Sequence, residues 1–324
     1  MITRLASGVV LACSLALPLA AYAQSDRVYR IGMLETTPAS ANRANLNAFL
    51  QGLREAGYVE GRNIIIDYRS ADGRGRYAEL AAELVRAKSD IIVTRGWAAA
   101  LAARNAGSIP VVMATSADPV AAGVVKSLAH PGGNVTGLTT LVSELAAKRL
   151  EVLKELAPQA SRVAAMLNLA NPTAVAERRQ IERASKSLGL EAIILDVRDA
   201  EGLDRALEAA VQRGADALLI NAEAVVMANR TTILDFARKH RLPVMYSARE
   251  YVEGGGLIAY GVSYPHLYYR AASYVDRILR GAKPGDLPIE KPTKLYLVIN
   301  VRAATALGIP IPSPLLLRAD ELIQ

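Results

Sequence analysis

Polar and aromatic side chains recur where predicted strands give way to helices, and these are the groups through which the chain could do chemistry. In the first half they are Glu35-Thr36-Thr37, Thr94-Arg95-Gly96-Trp97 and Thr115-Ser116-Ala117-Asp118. In the second half they are Asn168, Asn171-Pro172-Thr173, Asn221-Ala222-Glu223, Tyr246-Ser247 and Tyr260-Gly261. At such positions hydroxyls, amides and carboxylates meet backbone N–H groups and the positive ends of helix dipoles. That combination suits a small polar solute, especially one with a carboxylate. The chain has 13 Tyr against 2 Phe, and a tyrosine offers a ring face and a hydroxyl together. Taken singly, each residue is equally well read as a cap or turn, where Asp, Asn, Ser and Thr serve local hydrogen bonding. Their recurrence at successive strand ends is what points to a cleft.

Other chemistries fit less well. Gly73-Arg74-Gly75-Arg76-Tyr77-Ala78 matches a dinucleotide-binding G-x-G-x-x-G/A, with Arg95 placed to meet a 2′-phosphate. However, Ser70-Ala71-Asp72 lengthens the turn and the match falls at the second strand–helix unit, so the glycines read as a flexible loop and no cofactor is implied. Gly261-Val262-Ser263-Tyr264-Pro265 is half of a G-x-S-x-G nucleophile elbow, with Pro265 where the last glycine belongs. The only histidines are His130, His240 and His266, and none has metal-ligand spacing. Glu79 and Glu83, like Glu151 and Glu155, lie four apart on helices and read as solvated faces.

The elements that must position these groups alternate along the chain. Strands are predicted at Tyr29–Leu34, Asn63–Tyr68, Asp90–Thr94, Val111–Ala114 and Val135–Thr139. Helices intervene at Asn42–Ala56, Tyr77–Ala87, Ala98–Ala106 and Val120–Ala129, the last ended by Pro131-Gly132-Gly133. A second series follows, with strands Arg162–Leu167, Leu190–Val197, Asp216–Ile220, Pro243–Tyr246 and Leu257–Tyr260. Its helices are Glu144–Leu156, Thr173–Leu188, Leu203–Arg213, Asn229–His240 and Arg249–Val252. A long helix at Leu267–Leu279, a proline-punctuated connector at Pro284–Pro292 and a strand at Leu295–Asn300 complete the pattern. The fold class is α/β: two doubly wound, flavodoxin-like lobes with parallel sheets, facing each other across a cleft at the carboxyl ends of their strands.

The N-terminus reads as a signal peptide over residues 1–23. Arg4 supplies the positive start, Leu5–Ala20 is mostly apolar, and Ala21-Tyr22-Ala23 is an A-x-A cleavage signal before Gln24. Cys13 is the only cysteine, so the mature chain would hold no disulfide and no thiol nucleophile. Its setting, Val10-Leu11-Ala12-Cys13, is loosely lipobox-like, but the later A-x-A site favours ordinary export. The net charge of +7 falls to +6 with the loss of Arg4 and is spread without a basic run, so no nucleic-acid partner is expected.

Several phrases in order resemble the ABC transporter substrate-binding protein family that includes tryptophan-type receptors. They include Ile31-Gly32-Met33-Leu34, Gly52-Leu53-Arg54-Glu55-Ala56-Gly57-Tyr58, Asp118-Pro119-Val120 and Pro131-Gly132-Gly133-Asn134-Val135-Thr136-Gly137. Gly255-Gly256-Leu257, Leu287-Pro288-Ile289-Glu290 and Ala319-Asp320-Glu321 continue the series. The resemblance implies a type I periplasmic-binding-protein fold with three crossovers. Lobe one would be 27–138 plus 263–283, and lobe two 139–262 plus 284–324. The hinge would lie at Thr139, Thr140, Val262, Ser263 and Lys283. Ligand-binding positions would be Thr36, Thr37, Ser116 and Asp118 on one lobe and Asn171, Glu223, Tyr246 and Tyr260 on the other. Asp118 or Glu223 would pair with an ammonium, Thr36 and Ser116 with a carboxylate, and a tyrosine would cover an apolar side chain. Glu35-Thr36-Thr37-Pro38 departs from the motif often found after the first strand in aromatic receptors. The implied role is a periplasmic, monomeric, non-enzymatic receptor that hands an amino acid or related solute to a membrane permease. An exported α/β hydrolase built on Ser263, and a ligand-sensing domain, are the alternatives.

Overall fold

The computed structural model describes residues 27–324 except 73, 74, 141, 222 and 223; the expected signal peptide and Glu223 lie outside the described residues. The first lobe is laid down as β1 (Tyr29–Glu35), α1 (Arg43–Glu55), β2 (Ile64–Ser70), α2 (Tyr77–Arg86), β3 (Ile91–Arg95), α3 (Trp97–Ala106), β4 (Val111–Thr115) and β5 (Val135–Gly137). Its strands form one parallel sheet in the order β2-β1-β3-β4-β5. Every residue of β3 and β4 is buried, which is why these central strands read as apolar runs without alternation.

The second lobe comprises α4 (Val142–Leu156), β6 (Arg162–Leu167), α5 (Ala174–Ser187), β7 (Glu191–Asp196), α6 (Ala200–Gln212), β8 (Ala217–Ile220), α7 (Ala224–Ala228), α8 (Arg230–His240), β9 (Val244–Tyr246), α9 (Arg249–Glu253) and β10 (Ile258–Val262). The chain then returns to the first lobe as α10 (Tyr264–Leu279), before β11 (Leu295–Asn300), α11 (Val301–Leu307), α12 (Ser313–Arg318) and β12 (Glu321–Ile323) complete the second. The second sheet runs β12-β11-β10-β9-β8-β6-β7, and only the β10–β11 pair is antiparallel.

Ser263 caps α10 by accepting a hydrogen bond from the His266 N–H at 3.2 Å, and Pro265 sits in its first turn. The helix then packs along α1. A Cβ on Gly52 would lie 2.7 Å from the Tyr269 carbonyl oxygen, so glycine is what lets the two helices approach this closely.

Two expectations change. Residues 120–129 form turns, not a helix. Their apolar spacing is real, since Ala122, Val124 and Val125 are buried, but Asp118 caps a tight turn and Gly123 adopts φ +68. The third crossing also moves. It was expected at Lys283–Pro284, yet residues 284–290 stay on the first lobe. Gly132 donates to the Gly285 carbonyl, Ile289 donates to Leu128 at 2.7 Å, and Glu290 donates to Gly137 at 2.9 Å. The chain therefore crosses between Glu290 and Leu295, beside the first crossing, where Leu138 bridges Glu290.

Candidate functional site

A cavity of about 400 Å³ opens between the lobes at the carboxyl ends of both sheets. From the first lobe its wall takes Thr36, Arg95, Trp97 and Ser116, with Tyr77 and Tyr264 adding aromatic surface. From the second it takes Asn168, Asn171, Thr173, Glu177 and Asn221.

Arg95 ends β3, and the β3–β4 register shifts between Thr94 and Arg95. Such an irregularity re-aims a side chain. Gly96 follows at φ 82, a conformation that favours glycine, and α3 begins at once with Trp97. The guanidinium donates to Asn42 Oδ1 at 3.1 Å and lies 4.9 Å from the centre of the Tyr264 ring. Asn42 is held in turn by Asn45, which donates at 2.7 Å, and donates its own amide to the Tyr68 hydroxyl at 3.2 Å. Burial opposes the Arg95 charge, but Tyr268, Tyr264, Glu35 and Glu250 together outweigh it. Glu35 is fully buried behind Arg95 and accepts from the Tyr268 hydroxyl at 2.8 Å. Burial pushes its carboxyl up to about 7, against the opposing pull of Arg95 and Tyr268.

On the second lobe Glu177, in the first turn of α5, accepts from Asn221 Nδ2 at 2.6 Å. Its carboxyl is raised by burial, opposed by Arg149 and by that hydrogen bond. Arg149 of α4 is 2% exposed and donates to the Tyr260 carbonyl at 2.8 Å.

Of the positions expected from sequence, Thr36, Ser116 and Asn171 line this cavity. The Ser116 hydroxyl is buried without a hydrogen-bond partner among the described residues, leaving it able to serve a ligand. Asn171 Oδ1 accepts from the Thr173 N–H at 3.0 Å and hydroxyl at 2.9 Å. Thr37, Asp118, Tyr246 and Tyr260 lie off the wall. Thr37 stands behind it, its carbonyl accepting from the Tyr68 hydroxyl at 2.7 Å. Asp118 accepts from the Val120 and Ala121 N–H groups and borders a separate crevice of about 80 Å³. Tyr246 is 1% exposed and stacks on Tyr251 at 4.6 Å inside the second lobe. Tyr260 is half-buried against the apolar core. Strand alternation turns these two rings inward, which a list of strand ends does not reveal.

The expected hinge residues Thr139 and Thr140 join the first crossing to the loop after β4. Thr139 Oγ1 donates to the Ala117 carbonyl at 2.8 Å, and the Thr140 N–H donates to that of Ser116 at 2.8 Å. Val262 pairs with Leu295 across the second and third crossings. None of the three histidines lines the cavity, and the Ser263 hydroxyl is engaged as the α10 cap.

Arg95, Tyr264 and Glu177 gained no place among the expected ligand residues. Arg95 stands in the strand-end pattern but reads there as a phosphate contact; Glu177 lies within the first turn of α5, past the residues that a strand-end pattern covers.

The two-lobed arrangement is that of type I periplasmic binding proteins. A tyrosine-binding protein of Clostridioides difficile is 28% identical over 261 residues, covering 80% of this chain and 75% of the relative. A conserved domain protein of Vibrio cholerae matches at 28% identity and TM-score 0.85, over 91% of this chain and all of that one. An ABC domain of Streptococcus pneumoniae, solved with L-Trp, matches at 25% identity and TM-score 0.83 over the same shares. The model of the ABC transporter substrate binding protein family matches residues 31–323, and this chain belongs to that family.

Proposed function

We propose that the protein is the periplasmic receptor of an ABC importer, that it binds an amino acid in the interlobe cavity, and that an aromatic amino acid is the first candidate. The carrying observation is a cavity walled by both lobes, in which Trp97, Tyr77 and Tyr264 stand beside buried groups of both charges. An aromatic side chain would lie against the rings while the polar end meets the strand-end groups. The tyrosine and tryptophan ligands of two of the named relatives support the same choice. Ligand binding would draw the lobes together about the three crossings and create the surface that a permease recognises. Export would end with cleavage after Ala23.

A thermal-shift panel of the amino acids, small acids and sugars tests the ligand. A ligand at one hundred times its dissociation constant should add about 2.7 kcal/mol of stability. Tyrosine, tryptophan or phenylalanine should give the largest shift; a panel in which no amino acid shifts the melting temperature removes this reading. N-terminal sequencing of the secreted chain should begin at Gln24, and a start elsewhere would correct the cleavage site.

A further inference from the structure

We propose that Arg95 and Glu177 are the two ionic anchors of a zwitterionic ligand, Arg95 on the first lobe taking its carboxylate and Glu177 on the second taking its ammonium. This rests on the amino-acid reading above and assigns the residues that would enforce it.

Both side chains line the same cavity while belonging to residues that are 8% and 3% exposed. Each lobe also holds a buried group of opposite charge, Glu35 and Arg149, but neither of these lines the cavity. Neither Arg95 nor Glu177 forms an ion pair with a described residue. Arg95 has Asn42 Oδ1 and the Tyr264 ring as close partners, so the rest of its five-donor fork is available. The fork matches a carboxylate in bidentate geometry. Glu177 engages Asn221 through Oε1, leaving Oε2 to accept from an ammonium. Glu35 and Arg149 act on these charges from behind without an ion-pair contact, and a zwitterion would place an opposite charge against each wall at once. With the anchors on different lobes, only a ligand carrying both charges engages both when the cleft closes.

Glu250 of the second lobe is the competing occupant for Arg95. Its Oε2 is buried without a hydrogen-bond partner among the described residues, and its charge acts on Arg95. A lobe-to-lobe latch between these two would leave no role for the ligand carboxylate.

Isothermal titration of L-tyrosine, tyramine and 3-(4-hydroxyphenyl)propionate into the wild type, Arg95→Gln and Glu177→Gln separates these cases. The wild type should bind tyrosine at least about a hundredfold more tightly than either analogue, as expected for a buried ion pair that loses one partner. In Arg95→Gln the penalty for lacking the carboxylate should shrink to within about threefold while that for lacking the ammonium persists; Glu177→Gln should do the reverse. Equal losses for all three ligands in either variant would assign that residue to structure and overturn its role. A wild type that binds tyramine as tightly as tyrosine overturns the Arg95 anchor without any variant, which covers a variant that fails to fold. If another amino acid leads the thermal-shift panel, the same trio is built on its side chain. Amino-acid binding with unchanged discrimination in both variants defeats the anchors alone, whereas no amino-acid binding defeats the functional reading itself.

Discussion

On the first lobe an arginine faces the cleft with a glutamate set behind it; on the second a glutamate faces the cleft with an arginine behind. The two walls use the same residue types in opposite order, and they differ in what the rear group can do. Glu35 sits in an environment that raises its carboxyl to about 7, so it can shed its charge near neutrality. Arg149 is also disfavoured by burial, yet a guanidinium does not deprotonate in a protein. It is built into the frame instead, donating to the Tyr260 carbonyl in β10, one strand-end away from the second crossing. The rear group of the first wall is therefore adjustable by protons, and that of the second is not.

This contrast can be tested at its strongest point by Arg149→Met. Removing the rear cation leaves Glu177 buried without it, and stability to urea should fall by about 3–5 kcal/mol. A loss below 1 kcal/mol would mean that the rear arginine carries no such burden. Glu35 should behave differently, through pH. Its carboxyl in the folded protein holds a proton that the unfolded chain has already released. Its contribution is thus complete below pH 4.5, declines as pH rises to about 7, and is flat above that. The decline amounts to about 3 kcal/mol over that window. Arg95, Tyr268 and Tyr68 face this group and belong to the same network. Glu35→Gln should lack the decline when urea unfolding is compared at pH 5 and pH 8, and an unchanged slope would relocate the titration to another group. The smallest effect belongs outside both walls. Asp118→Ala should cost about 1 kcal/mol through loss of a turn cap. Ligand affinity should stay within about twofold, and a tenfold loss would bring Asp118 back into the site.

The alternation of strands and helices was legible because a sheet covered on both faces needs apolar strands, and Ile91-Ile92-Val93 and Val111-Val112-Met113 supply them. The third crossing was not, because Gly285, Ile289 and Glu290 are held to the first lobe by backbone hydrogen bonds that leave no side-chain period. The turns at 120–129 imitated a helix for a related reason: burial of Val124 and Val125 against the lobe makes the same spacing. The short α12 and β12 near the end carried too few residues to show a period. At the cavity wall, strand-end position brings together Thr36, Arg95, Trp97, Ser116, Asn168, Asn171 and Asn221. It does not report which way a side chain turns, so it draws in Tyr246 and Tyr260, and it does not reach Glu177 within α5. Lobe architecture follows from patterning, whereas the polarity of each wall depends on which member of a buried pair stands in front.

The return of α10 to the first lobe governs the order in which the chain can fold. Helix α1 ends at Glu55, yet its partner α10 does not begin until Tyr264, so Phe49 and Leu53 of α1 await a helix made only after the α4–β10 stretch of the second lobe. The second lobe waits as well, since β11 and β12 at its sheet edge follow α10. The first lobe has its last segment once Glu290 is made, before β11 and β12 complete the second. Contacts this distant along the chain slow folding, so the α1–α10 seam has to wait while α4 to β10 are made.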